Sequence, residues 1–228
     1  MDWSPILISI RTACVSILFT FFLGLFAAWW VARMRSNKWK MIMDGLFTLP
    51  LVLPPTVLGF FLLYIFGVQR PVGKFLLDFF SVKVVFSWSA TVIAAVTASF
   101  PLMYRSARGA LEQVEDTYLQ AARTLGYSEW KVFWCIWMPL ALPGVASGAV
   151  LSFARGLGEF GATAMIAGNI AGKTRTLPLK IYSEVAAGNM SGAYTYVIIV
   201  VVISFVAILA MNYFTLRGQR YAKRGGRI

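Results

Sequence analysis

The residues whose types and spacing suit chemistry lie mainly between positions 117 and 169 of this 228-residue chain. Arg155 and Glu159 stand out, since a spacing of four residues places both side chains on one face of a helix, where opposite charges attract. Charges beside apolar stretches are expensive and either pair or face a polar cavity. We therefore predict a structural ion pair; the alternative is that Arg155 attracts an anion while Glu159 keeps it from binding too tightly.

Catalytic and metal-binding chemistry finds little support in the rest of the sequence. Histidine, the commonest general base and metal ligand, is absent, and the nine acidic residues are scattered mostly over the loops. Cys14 and Cys135 stand in apolar stretches without redox or metal-ligand spacing, so both are predicted to be small core residues. We expect no catalytic residue, no metal site and no cofactor on this chain.

A glycine-rich segment at 168–174 is superficially like a nucleotide-binding loop. That loop requires four residues between its glycines, a preceding strand and a following helix. Gly168 and Gly172 are separated by three residues, and the flanking sequence predicts neither element. The segment is therefore not predicted to bind a nucleotide.

The elements that position these residues follow from the apolar composition. The chain is 59% hydrophobic and 13% charged, with a mean hydropathy of +0.72, which is too apolar for a water-soluble surface. Five nearly charge-free segments are long enough to cross a bilayer. They cover residues 12–32, 45–67, 84–104, 132–154 and 193–216. We predict an all-α, polytopic membrane helical bundle of five to six transmembrane helices, with one domain over residues 1–228.

The net charge of +12 does not indicate nucleic-acid binding, because the basic residues are spread over short loops instead of one polar surface. Loop 33–40 and segment 105–131 carry four basic residues each, and the tail after residue 216 carries five. The alternate loops carry fewer. The positive-inside rule then predicts an amino terminus outside the cell and a carboxy terminus in the cytoplasm.

Three other segments carry weaker patterns. Residues 73–83 alternate apolar pairs with charges, which predicts a short helix at the membrane interface. Residues 160–192 are too broken for a regular span, so they are predicted to be buried in protein or to line a cavity. Small residues recur every four positions in the fourth span, which predicts close helix packing or, alternatively, a lining of a translocation path. They are Gly144, Gly148, Ser152 and Gly156.

The segment 117–139 carries the most specific pattern. Thr117 and Gln120 fit a capping box, which predicts a helix that begins there. Gly126 has the position of a left-handed helix stop. Ser128 then caps a second helix. The segment is predicted to form a helix, a glycine turn and a second helix.

This pattern resembles the EAA loop of ABC importer permeases, which reads Glu-Ala-Ala, three residues, Gly, nine residues, Ile, one residue, Leu-Pro. Its counterparts here are Gln120, Ala121, Ala122, Gly126, Ile136 and Pro139. The resemblance implies a type I ABC importer permease fold, in which this loop, at about 112–138, docks as a coupling helix on a separate ATPase subunit. Ala121 and Ala122 are expected to let that partner approach closely. Gln120 and Met138 replace the family's glutamate and leucine, so the charge of the glutamate is lost.

A second resemblance covers most of the chain. Residues 49–55 with Gly59, residues 153–163 and residues 169–178 are similar to molybdate and sulfate permeases. The resemblance implies a bacterial inner-membrane subunit for oxyanion import, and the compact length favours molybdate while sulfate and tungstate stay open. The implied partners are an ABC ATPase dimer that carries ATP and Mg, a second permease copy in a homodimer, a periplasmic oxyanion-binding protein and the membrane lipid.

A path for a hydrated dianion should contain weak and mostly neutral donors, because transport requires release as well as binding. The predicted lining residues are Arg155, Gly158, Glu159, Gly161, Thr163 and Asn169. Two other classes of membrane protein would need different residues. An ion-coupled secondary transporter would place ionisable residues inside its spans, and a membrane enzyme would need a catalytic cluster. The nearly charge-free spans and the missing histidine argue against both.

Overall fold

The computed structural model describes the backbone of residues 2–225 and the side chains of residues 2–213. These residues form eleven α-helices and one π-helical turn, without a strand. The helices are α1 (Ser4–Ala32), α2 (Asn37–Val52), α3 (Pro55–Phe66), α4 (Pro71–Phe80), α5 (Trp88–Glu112), α6 (Asp116–Thr124), α7 (Glu129–Val132), α8 (Met138–Leu157), α9 (Gly161–Ile166), α10 (Leu177–Ala186) and α11 (Met190–Gly225), with the π turn at Phe133–Trp137. The all-α prediction is confirmed; the side chains of the basic tail after residue 216 lie outside the described residues.

Three helices of the described chain are long and apolar enough to cross a membrane, at Ser4–Ala32, Glu129–Leu157 and Met190–Tyr213. They correspond to the predicted first, fourth and fifth spans. The predicted third span lies largely in α5, which has 25 residues but is less apolar than these three. α1 and α8 cover α5 on two sides, so many of its residues face protein instead of lipid and can be small or polar.

The predicted second span, residues 45–67, is wrong as one continuous helix. α2 and α3 are separate helices, bent by 110° relative to each other, that form at most a broken span together. A proline disfavours helical conformation in the residue before it and has no N–H to donate. Leu53 and Pro54, which precede Pro54 and Pro55, accordingly have extended backbone with ψ angles of 139° and 137°. The consecutive prolines therefore end one helix and begin the next.

α5 occupies the centre of the bundle, and glycines on its neighbours allow the helix backbones to approach closely. A Cβ atom on Gly24 of α1 would lie 2.7 Å from the side chain of Met103. On α8, a Cβ atom on Gly148 would lie 2.5 Å from the side chain of Ser106, and Gly144 makes a similar approach to α5. The predicted small-residue ridge of α8 is thus a close-packing surface.

Buried hydroxyl groups join α1 to α5. The hydroxyl oxygens of Thr12 and Thr91 are 2.9 Å apart, and those of Thr20 and Ser99 are 3.0 Å apart. The indole N–H of Trp88 also donates to Thr12, at 3.1 Å. Interhelical hydrogen bonds of this kind hold membrane helices together where lipid provides no hydrophobic driving force. They fix the register of α1 along α5.

The weaker sequence patterns also correspond to helices. The 73–83 segment contains most of α4, and the broken 160–192 region contains the short helices α9 and α10. α9 packs against α3, where a Cβ atom on Gly161 would lie 2.7 Å from the ring of Pro55. α10 packs near the start of α1, because the backbone N–H of Leu177 donates to the Ser9 hydroxyl at 2.7 Å.

The close contact between α8 and α5 predicts a stability difference between two identical changes. Gly148→Ala adds a methyl group only 2.5 Å from Ser106, and overpacking of this kind costs about 1–3 kcal/mol. Gly45→Ala is the matched control, because no atom lies within 4 Å of a Cβ at Gly45 and alanine favours a helix by roughly 1 kcal/mol. Thermal unfolding in detergent should show a lower Tm for the first variant only. Equal Tm values would contradict the close packing.

Candidate functional site

The predicted helix-turn-helix within the 112–138 segment is present, but its first helix begins earlier than expected. Glu115 is the N-cap of α6, and its side chain makes no capping hydrogen bond. Thr117 lies inside the first helical turn, so the capping box formed by Thr117 and Gln120 is wrong. Asp116 in the first turn provides a negative charge beside the positive end of the helix dipole instead.

The turn between α6 and α7 follows the sequence prediction. Gly126 has a φ angle of +79°, in the left-handed region that side chains disfavour. The N–H groups of Gly126 and Tyr127 donate to the carbonyls of Arg123 and Ala122, which closes the end of α6. Ser128 then caps α7 by accepting a hydrogen bond from the N–H of Lys131 at 3.4 Å. The two short helices are therefore held at a fixed angle.

The two alanines of the EAA-like pattern point in different directions. Ala122 is buried and packs with Leu119 into the cluster that surrounds the end of α5. Ala121 and Gln120 are exposed. The expectation that both alanines contact a partner is therefore wrong for Ala122, because helical spacing turns it toward the bundle. The exposed surface of the segment instead carries large apolar side chains, at Tyr118, Leu125, Trp130 and Trp134.

Ile136 and Pro139 lie at the junction between this segment and α8. Ile136 is half-buried in the π turn, and Pro139 is exposed in the first turn of α8. Pro139 has no N–H, so it cannot form the regular helical hydrogen bond to the carbonyl of Cys135, four residues earlier. The π turn therefore lies where the α-helical hydrogen-bond pattern is already interrupted. The buried indole of Trp137 donates to the carbonyl of Leu111 at 2.8 Å, which fastens the junction to α5.

Glu129 connects three parts of the chain that the sequence analysis treated separately. Its carboxylate accepts hydrogen bonds of 2.7 and 3.3 Å from Arg123 in α6 and lies 3.2 Å from the guanidinium of Arg33 after α1. The hydrogen bond from Arg123 lowers the pKa of Glu129 below its ordinary value, so the carboxylate stays charged near neutral pH. The sequence alone does not indicate this role of Glu129, because no local spacing reveals a contact with a residue 96 positions away.

A second charged cluster joins α2 to the end of α5. Arg108 pairs with Asp44 of α2 and with Glu112, one helical turn away on its own helix. Tyr104 donates to the same Asp44 carboxylate, and Lys40 lies 3.8 Å from Glu112. Of these contacts, only the pair of Arg108 and Glu112 has a spacing of four residues, which a sequence can reveal. The cluster places α2 beside α5 at the end of the bundle that carries the 112–138 segment.

The predicted pair of Arg155 and Glu159 is formed, with 2.6 Å between the guanidinium and the carboxylate. Glu159 is only 2% exposed, and its other carboxylate oxygen accepts a hydrogen bond of 2.8 Å from the N–H of Ala162. The carboxylate therefore neutralises Arg155 and also binds the first turn of α9. This geometry supports the structural interpretation of the pair.

The other predicted lining residues do not share one open surface. Gly161 and Thr163 are buried in α9, like Glu159 before them. Gly158 is exposed at the end of α8. Asn169 is exposed in the turn that follows α9, and it is hydrogen-bonded to neighbouring side chains. The Asn169 amide donates to Ser183 and accepts from Arg175, both at 2.7 Å. In this chain the six residues thus divide between a buried helix junction and a hydrogen-bonded turn.

The cysteines are also placed differently from the prediction. Cys14 and Cys135 are both exposed on the surface of the chain, so their assignment as core residues is wrong. Cysteine is compatible with a lipid-facing surface as well as a core, and the apolar sequence around it does not separate the two. In the part of the chain that the structure describes, no three His, Cys, Asp or Glu residues are grouped in a way that holds a metal ion.

The sequence that forms this bundle and segment matches a known protein family. The sequence profile described as the binding-protein-dependent transport system inner membrane component matches residues 21–218. The chain belongs to this family. It is therefore a transport subunit in the membrane, as predicted, and the membrane-enzyme alternative is rejected.

Three relatives within this family share most of their length with the chain. It is 41% identical to the molybdenum transport system permease protein of Escherichia coli (strain K12), over 98% of this chain and 97% of that protein. It is 43% identical to the putative molybdenum transport system permease protein of Bacillus subtilis (strain 168), over 90% of each. The Haemophilus influenzae molybdenum transport system permease protein is 39% identical, over 99% of this chain and 98% of that protein.

Solved structures of ABC transporters have the same fold. A chain of the methionine ABC transporter in its inward-facing conformation matches with a TM-score of 0.74 at 16% identity, covering 94% of both chains. A chain of a bacterial ABC transporter for alginate matches with a TM-score of 0.77 at 14% identity, covering 94% of this chain and 78% of that one. These similarities confirm the predicted type I ABC importer permease fold of this family member.

The contacts of Glu129 predict how firmly the 112–138 segment is attached. Glu129→Gln keeps the shape of the side chain but weakens both ion pairs, and exposed pairs each contribute about 0.2–1 kcal/mol. We expect faster amide hydrogen exchange in residues 116–132 and unchanged exchange in α5. Asp78→Asn in α4 is the control, because that exposed carboxylate forms no ion pair among the described residues and lies outside the 112–138 segment. The same exchange in both variants would show that Glu129 does not hold the segment.

Proposed function

We propose that this chain is the membrane-spanning permease subunit of an ATP-driven importer for molybdate. The observation that carries the proposal is 39–43% identity, over at least 90% of the chain, to three molybdenum transport system permease proteins. Similarity over such a share of the length includes both the bundle and the 112–138 segment. Tungstate has nearly the same size and charge as molybdate, so we expect it to be transported too.

The permease is proposed to work with an ATPase dimer that binds ATP and Mg, and to form a homodimer. In this assembly the 112–138 segment is the coupling helix that contacts the ATPase. The support is that Gln120 and Ala121 are exposed, as are the large apolar side chains of Leu125 and Trp130 in the same segment. Exposed aromatic and aliphatic groups on a rigid helix-turn-helix are typical of a protein interface. Movement of the ATPase would then reach the bundle through Glu129 and Trp137.

The proposed orientation places the amino terminus outside and the 112–138 segment in the cytoplasm. Two contacts support this orientation, because they place the loops rich in basic residues at one end of the bundle and the loops poor in basic residues at the other. Arg33, which follows α1, contacts Glu129, so the two basic loops share one end of the bundle. The opposite end combines the amino terminus with α10, because Leu177 is hydrogen-bonded to Ser9.

Selectivity is proposed to reside in a periplasmic binding protein, whose closed, oxyanion-bound form docks on the outer end of the permease. Lys173, Arg175 and Lys180 are candidates for that contact, because they carry positive charge in the segment predicted to lie outside. Lys180 is only 2.5 Å from the Glu184 carboxylate, which lowers the pKa of Glu184, and Arg175 is bound to Asn169. Lys173 is exposed and is the candidate that we retain.

The substrate assignment predicts selective stimulation of ATP hydrolysis. The permease, its ATPase and its binding protein, reconstituted in nanodiscs, should hydrolyse ATP faster with molybdate or tungstate than with sulfate. The reason is that the binding protein closes only around an oxyanion that fits, and the closed form docks productively. Omission of the binding protein is the control. Equal stimulation by sulfate would defeat the molybdate assignment, and failure of the ATPase to copurify would defeat the permease assignment.

The orientation predicts which positions a membrane-impermeant thiol reagent can reach. In a Cys14→Ala, Cys135→Ala background, Val72→Cys and Ala187→Cys should react in intact cells, since both positions are exposed and belong to the outer end. Leu125→Cys, which is 75% exposed in the parent chain, should react only after the membrane is opened. The reverse pattern would invert the topology.

A further inference from the structure

Two grooves lie along α5 in this chain, one beside α8 and one beside α2. A groove of about 630 Å³ lies on the α8 side, and its lining includes Ser106 and Gly144. A second groove, of about 480 Å³, lies on the α2 side, and its lining includes Thr48. Arg105 and Gly109 belong to both grooves and form the boundary between them. The two grooves therefore make one concave face with Arg105 near its middle.

In the part of the chain that the structure describes, Arg105 has no counter-ion, unlike its neighbour Arg108 on the same helix. Arg108, one turn further along α5, is neutralised by Asp44 and Glu112. Among the described residues, no carboxylate lies within 4 Å of the Arg105 guanidinium, and the residue is exposed. At about 1.5 Å per residue, Arg105 lies roughly 10 Å inside the end of α5 at Glu112.

Lipid is a poor neighbour for this face. Arg105 directly follows the predicted third span, so it lies at the cytoplasmic boundary of the membrane. An unpaired guanidinium there avoids lipid and faces water or another polar group. The outward surface of α11 shows what a lipid-facing helix of this chain looks like, with exposed Val201, Val202 and Phe205. By contrast, the grooves beside Arg105 contain the hydroxyls of Thr48 and Ser106. The chemistry of the face fits a water-filled space.

We propose that this concave face lines the cytoplasmic part of the translocation path, and that Arg105 binds the transported oxyanion before its release. The proposal rests on the function assigned above and adds a binding residue to it. A guanidinium presents its N–H groups in a fork that matches two oxygens of a tetrahedral oxyanion. One positive charge leaves a dianion only partly neutralised, so binding is weak enough for release. Thr48 and Ser106 supply neutral hydroxyls on either side.

The location differs from the lining residues predicted from the sequence. Glu159, Gly161 and Thr163 belong to the junction of α8 and α9, near the outer end of α8, and are buried there. Arg105 lies toward the other end of the bundle, beside the first half of α8. Gly144 therefore has two roles, since it packs against α5 and also lines the groove.

Transport by charge variants tests the role of Arg105. In proteoliposomes with the ATPase and binding protein, Arg105→Gln should lower molybdate uptake per ATP hydrolysed about tenfold, because a direct charge interaction in a partly hydrated site is lost. Arg105→Lys should lower the uptake less than Arg105→Gln does, because lysine keeps the positive charge and loses only the two-pronged hydrogen bonding. Lys38→Gln is the matched control, because it removes an exposed positive charge of the same end that lines neither groove. Uptake by Arg105→Gln equal to that of Lys38→Gln would overturn the proposal.

A second measurement does not depend on the substrate. In the Cys14→Ala, Cys135→Ala background, Arg105→Cys in inside-out vesicles should react with a hydrophilic thiol reagent at least about tenfold faster than Val202→Cys on α11, since thiolate reaction requires contact with water. A positively charged aminoethyl reagent should restore uptake, whereas a neutral reagent of the same size should not. Equal slow labelling would show that lipid or protein covers the face. If Arg105→Cys is labelled rapidly but the wild-type complex does not transport molybdate, the substrate assignment is wrong. The proposal that this face borders a water-filled space is then still supported.

Discussion

The close approach of α1 and α8 to α5 is the interaction on which the rest of this structure depends. Gly24 on one side and Gly148 on the other leave no room for a side chain between the helix backbones. In lipid, such contacts and a few buried hydrogen bonds replace the hydrophobic force that assembles water-soluble bundles. Because α1 and α8 hold α5 from two sides, the carboxy-terminal end of α5 is rigid. α2 and the 112–138 segment are attached to this end.

The attachment of that segment is polar at its surface and apolar underneath. Arg33 and Arg123 hold Glu129 from two directions, while Leu119 and Ala122 pack into the cluster around the end of α5. The exposed ion pairs contribute little stability individually, so the buried contacts keep the segment in place and the ion pairs orient it. A rigid segment is what a subunit needs if motion at its surface is to move the bundle.

Local sequence signals predicted much of this architecture. The apolar runs located the helices, the left-handed glycine was recognised at Gly126, and Ser128 was recognised as a cap, because these features depend on neighbouring residues alone. Features that need a partner from elsewhere in the chain were missed, such as the contact of Arg33 with Glu129 and the burial of Ala122. The broken second span was missed because the apolar composition continues across Leu53 and Pro54 although the backbone does not.

The π turn at Phe133–Trp137 has a consequence for the way one long helix serves two surfaces. Glu129–Leu157 runs continuously from the exposed segment into the bundle, and the widened turn contains more residues than a regular one. An additional residue rotates everything that follows by about 100° relative to what precedes it, since a regular helix has roughly 3.6 residues per turn. Trp130 and Trp134 are thereby exposed while Trp137 is buried. Because of this rotation, the first part of the helix can expose one side to solvent while the second part packs a different side against the bundle, although both belong to one continuous helix.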